Sequence, residues 1–129
     1  MKKIFKIAVV VLMMMPAVSF AQKAKVNWPE MKAFHGMMST SFHPAEEGKF
    51  DPIRQKSDSL YQAAVNWNQS TIPAGFKPEE TKKTLLQLVE KCRVVSKLVE
   101  GNAPNEKLMA ALTEAHDVFH KIVGECREE

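Results

Sequence analysis

Four of the seven prolines, Pro29, Pro52, Pro78 and Pro104, each stand at the head of a stretch whose apolar residues recur every three or four positions. Proline has no backbone N–H and a fixed φ near the helical value, so it suits a first helical turn, where that N–H would lack a partner. The pattern predicts four helices. No alternation of period two, internal repeat or low-complexity tract competes with it.

In the first segment Trp28, Met31, His35, Met38 and Phe42 follow one another at spacings of 3, 4, 3 and 4, which puts them on one stripe of a helix starting near Pro29. His43-Pro44 is expected to stop it, because the residue before proline is pushed out of the helical region. The link AEEGKF follows. Asp51 then reads as an N-cap with Pro52 behind it, and Ile53, Leu60, Ala64 and Trp67 mark a second helix to about Gln69. STIPAGFKP, residues 70 to 78, is the longest loop, with Phe76 expected to fold back onto the end of the bundle.

The third helix is predicted from about Pro78 to Glu100 through Leu85, Leu88, Val89, Cys92, Val95 and Val99, with Gly101 as its C-cap. Pro104 opens the fourth, whose core stripe is Leu108, Leu112, Ala115, Phe119, Ile122 and Cys126. Four helices with short connections imply antiparallel neighbours. The expected fold is all-α, an up-down-up-down four-helix bundle.

The first 21 residues read differently. Lys2, Lys3 and Lys6 precede an apolar run from Ile7 to Met15, Pro16 breaks it, and Ser19-Phe20-Ala21 closes it with a small-x-small pattern. This is the layout of a cleavable secretory signal, and the run is shorter than the ~20 residues that a membrane-spanning helix needs. The expected domains are a signal peptide at 1–21 and a bundle at 22–129, in a periplasmic or secreted protein that keeps no stable membrane anchor after cleavage. Removing the signal takes three lysines and no acid, leaving 15 basic against 15 acidic residues, so the +3 charge falls to zero. A nucleic-acid partner is disfavoured, since phosphate binding needs a clustered excess of Lys and Arg.

Two cysteines in an exported chain suggest a disulfide. In a hairpin turning at Asn102, however, Cys92 lies about 10 residues from the turn and Cys126 about 24, an axial offset of ~20 Å by helix rise. A disulfide requires α-carbons within ~7 Å, so an intramolecular bridge is not expected; Cys92 reads as a small core residue, and Cys126 as a free thiol, a ligand or a site of intermolecular bridging.

The histidines carry the chemistry. Antiparallel packing of the first and fourth helices brings His35 level with His120 and Met38 level with Asp117, with Met31 near Cys126. Measured from Phe119, His116 lies about 60° and His120 about 100° round the fourth helix, on the same side. Imidazole with thioether suits copper, and imidazole with carboxylate or thiolate suits zinc. The candidate metal ligands are His35, His116 and His120. Met31 and Met38 join them as candidate cofactor-binding residues, Cys126 is a more distant one, and Asp117 or Glu125 could support a ligand. His43 reads as a capping or surface residue. No nucleophile elbow, phosphate-binding loop or HExxH is present, so no enzyme activity is expected.

His116-Asp117-Val118-Phe119-His120-Lys121 resembles the end of the last helix in four-helix cytochromes of the c-prime type, which carry a CxxCH haem-attachment motif there. The histidine is kept and both cysteine positions are replaced, so thioether attachment is excluded and any haem would be held by ligation and packing. In the related b-type bundle, haem iron takes a Met from the start of helix one and a His from the end of helix four; Met31 and His120 are their counterparts in position. The expectation is therefore an exported bundle that binds copper, zinc or non-covalent haem between helices one and four, for carriage, sensing or electron transfer. The rival is an envelope interaction or chaperone-like module with structural histidines, able to form a homodimer through an exposed apolar face.

Overall fold

The computed structural model describes residues 26–128, so the expected signal segment lies outside the described residues. Four helices make up this part of the chain: α1 (Pro29–Glu46), α2 (Asp51–Gln69), α3 (Pro78–Glu100) and α4 (Asn105–Gly124). No strand occurs among the described residues, and no helix among them is long and apolar enough to cross a membrane.

None of the four helices has a side-chain hydrogen bond at its N-cap. A proline in the first two positions of α1, α2 and α3 removes one donor that would otherwise lack a partner. Glu30, Asp51, Glu79, Glu80 and Glu106 place carboxylates in the first turns, where the helix dipole favours them. Two cap positions differ from expectation by one residue: Phe50 precedes α2, with Asp51 already helical, and Pro104 is itself the N-cap of α4.

The larger difference is at the end of α1, which continues through Pro44 to Glu46. A proline one turn from a helix end forfeits a single hydrogen bond, and what terminates the helix is Gly48. It adopts φ 83°, and the Gly48 N–H donates to Ala45 O (3.0 Å) while that of Lys49 donates to Pro44 O (2.9 Å). This is a Schellman closure, which needs a left-handed residue. At the end of α3 the same closure uses Asn102, at φ 50°, with Gly101 as the C-cap in an ordinary conformation.

The helices pack round a square in chain order, α1 on α2, α2 on α3, α3 on α4, and α4 back on α1 by the sparsest of the four seams. Their directions alternate. At one end Trp28 ahead of α1, Trp67 in α2, Phe76 before α3 and the chain after α4 meet. At the other, Arg54 near the start of α2 donates to Ala103 O (2.7 Å) in the α3–α4 link and to Asn105 Oδ1 (2.8 Å) at the start of α4. The core is filled by the expected stripes of α2 and α4 and by Leu85, Leu88, Cys92 and Val95 of α3. Phe76 folds back and is buried, and Cys92 and Cys126 are both buried and free.

The core stripe of α1 is Phe34, Met38, Ser41 and Ala45, with Phe42 beside it. His35 was expected at the middle of that stripe and is exposed at its edge, while Met31 is half-buried. The rotation follows from packing: Phe34 fills the centre against Trp67 and Phe119, with ring centroids 5.5 and 5.6 Å away. A phenyl ring gains more from that position than an imidazole, which would have to lose hydration.

Candidate functional site

All four histidines border one cleft of about 350 Å³ along the α1–α4 seam. From α1 come His35, Met38, Ser39, Phe42, His43 and Glu46, and from α4 come His116, Phe119 and His120. The α1 set follows helical spacing, so continuation of α1 through Pro44 is what carries Glu46 to the cleft wall.

On α4, His116 and His120 are four residues apart and therefore stack one turn above the other. Their Nε2 atoms are 3.2 Å apart. One ring donates its N–H and the other accepts, so the two nitrogens face each other across the gap between the rings. His116 lies flat on Phe42, with centroids 3.9 Å apart and an interplanar angle of 10°. This contact fixes the imidazole plane. Burial, followed by the neighbouring His120, holds the His116 pKa below the ordinary imidazole value, outweighing the opposing charges of Asp117 and Glu46. The shift disfavours the charged ring, and the neutral form is the one in which imidazole nitrogen can coordinate a metal.

His35 stacks on Phe119, with centroids 5.4 Å apart at 10°. It shares the cleft with the α4 pair, but its ring is laid against a different aromatic. The His43 Nδ1–H donates to Glu46 Oε1 across 3.1 Å, with both side chains exposed. Among the described residues, no three His, Cys, Asp or Glu side chains converge closely enough, as placed, to hold a metal ion.

Of the residues singled out by sequence, His35, Met38, His116 and His120 line the cleft and Met31 does not. Met38 is 1% exposed and belongs mainly to the core. Cys126 is buried against α3, with its thiol 3.6 Å from Thr84 Oγ1, and Glu125 meets Lys77 through its backbone carbonyl. Neither borders the cleft. Sequence reasoning missed His43 and Glu46, although their offsets of 8 and 11 from His35 are helical spacings that place them on the same side.

A second groove, about 580 Å³, runs between α1 and α2 and is lined by Ala33, Met37 and Ala63 together with Glu30, Asp58 and Asn66. It holds no histidine or cysteine. No known protein family, curated protein or solved structure matches the chain.

Proposed function

We propose that this chain is an exported, non-catalytic bundle that binds one divalent transition-metal ion, zinc or copper, at His116 and His120, and serves in carriage or sensing outside the cytoplasm. The observation that carries the reading is the 3.2 Å separation of the two Nε2 atoms. With metal–nitrogen bonds of about 2.0–2.1 Å, that separation subtends about 100° at the ion, close to a tetrahedral or square angle. The Phe42 contact and the depressed His116 pKa support it, because they present an oriented, neutral ligand. The lysine-led apolar segment at the N-terminus supports export.

The cleft favours an ion over haem. Behind the histidines the space between α1 and α4 is filled by Phe34, Met38 and Phe119, with Trp67 beyond them. A macrocycle would have to displace these rings.

Competition with a chromophoric zinc chelator tests the reading. The wild-type chain is expected to withdraw one equivalent of zinc, and a His116→Ala, His120→Ala double variant to withdraw none at the same chelator concentration. Equal withdrawal by both, or none by either, rejects it. The interaction-module reading draws on the α1–α2 groove and on the exposed Leu86 and Val94 of α3. It predicts metal-free protein that sediments as a concentration-dependent dimer, with the double variant behaving like wild type.

A further inference from the structure

We propose that the last turn of α1 completes the metal site: His43 and Glu46 swing onto a zinc ion held by His116 and His120, and the ion then clips α1 to α4. The proposal rests on the metal-binding reading above and names the remaining ligands, the metal and the mechanical consequence.

Two imidazoles fill half of a four-coordinate shell, and structural and catalytic zinc sites take three or four protein ligands. The remaining donors must come from the opposite wall of the cleft, since Asp117, one residue on from His116, points about 100° round α4. That wall offers His35, His43 and Glu46. His35 is committed to its stack on Phe119, and leaving it would forfeit the contact. Glu46 has no such tie, and His43 makes only a looser edge contact with Phe42, at 5.9 Å between centroids and 62°. The His43 and Glu46 side chains are 68% and 49% exposed and hydrogen-bonded only to each other, so rotating both onto an ion exchanges one solvated pair for two coordination bonds.

Both border the cleft that His116 lines, in the turn of α1 that follows Phe42, against whose ring the His116 imidazole is stacked. Three nitrogens and a carboxylate oxygen are a donor set for zinc, while Met38, the one thioether lining the cleft, is buried. The seam that the ion would close is the sparsest in the bundle, and among the described residues no side-chain hydrogen bond or ion pair joins α1 to α4. Coordination across it supplies the missing link. Because zinc would bind the folded arrangement and not the unfolded chain, it would also raise stability with concentration.

Zinc affinity is to be measured by chelator competition on the wild-type chain and on His43→Ala, Glu46→Gln, the double His43→Ala, Glu46→Gln variant, and His35→Ala. The double variant is expected to bind at least about tenfold more weakly, the loss that removing even an outer-shell partner of a metal ligand causes. His35→Ala is expected to stay within about twofold. Binding by the double variant within about twofold of wild type overturns the inference and leaves the His116–His120 reading standing; failure of the wild-type chain to bind overturns both. Hydrogen exchange on the wild-type chain is independent of any variant. Zinc is expected to slow exchange of the amides from Phe42 to Lys49, and unchanged exchange there at saturating zinc also overturns the clip.

Discussion

Two stretches of the α1 flank, little more than two helical turns apart, are built from rings in both cases and behave in opposite ways. At the aromatic end Trp28, Phe34, Trp67, Phe76 and Phe119 are all buried, and Trp28 meets Trp67 and Phe76 edge-on at 5.5 and 5.0 Å. In the cleft Phe42 and Phe119 present their faces to imidazoles at the water boundary. The aromatic end is also tied by backbone bonds: Lys77 N–H donates to Cys126 O and Glu128 N–H to Gly75 O, each at 2.8 Å. No such tie crosses the cleft among the described residues. The contrast teaches where stability resides. Burial and aromatic pairing at one end hold α1 against its neighbours, so the seam beyond can keep hydrated, ionisable rings.

The most severe way to break this contrast is Trp67→Ala. The side chain is fully buried and touches three other aromatic rings, so its removal should cost about 3–5 kcal/mol, the range for a large aromatic cut to alanine in a core. Urea unfolding monitored by circular dichroism reads it. A loss below about 1 kcal/mol would mean that the aromatic end is not what holds α1 in place.

Ser70→Ala should come next. The Trp28 indole N–H donates to Ser70 Oγ at 2.8 Å, and the Ser70 hydroxyl donates onward to Trp67 O at 2.6 Å. Deleting the hydroxyl strands a buried indole N–H, which costs about 1–3 kcal/mol. In the same unfolding assay a neutral result would show that water replaces the serine and that this end is wetter than its packing implies.

Much of this architecture can be read from the chain because its signals are local. Pro29, Pro52 and Pro78 mark helix starts by their own covalent geometry, and the stripes of α2 and α4 repeat at a period that neighbours cannot alter. The orientation of α1 is different. The stripe through Met31, His35 and Phe42 and the stripe through Phe34, Ser41 and Ala45 share Met38 and differ by about one residue's rotation. The choice between them is made by Trp67 and Phe119, which are distant in sequence. The His116–His120 pair is legible because spacing within one helix fixes it. Glu46 was hidden because Pro44 looks like a stop, and only the Gly48 closure beyond it shows that α1 has another turn to give.

A smaller effect probes the cleft itself. His35→Ala removes an exposed ring stacked on Phe119, and a surface substitution of this kind should change stability by no more than about 0.5 kcal/mol at pH 8. A loss comparable to that of Ser70→Ala would place His35 among the structural rings and erase the boundary between the two stretches.

The least of these effects at neutral pH is that of His116, and it sharpens the comparison through its sign. The folded protein holds this imidazole below the ordinary pKa of about 6.5 that the unfolded chain regains, chiefly by burial and then by His120. Above that value neither state carries the proton and no stability depends on it. As pH falls below about 6.5 the unfolded chain binds a proton that the folded one resists, so stability declines until the folded pKa is passed and then levels off. His43 adds to the repulsion of that proton, while Asp117 and Glu46 attract it, so the decline should be modest. Urea midpoints between pH 7.5 and pH 5, taken with a chelator present, should fall for the wild-type chain and fall less for His116→Phe, which keeps a ring against Phe42. Parallel profiles would show that acid acts elsewhere in the molecule. A shallower profile for His116→Phe would mean that protonation of this one imidazole, held against Phe42 and beside His120, is what acid acts on.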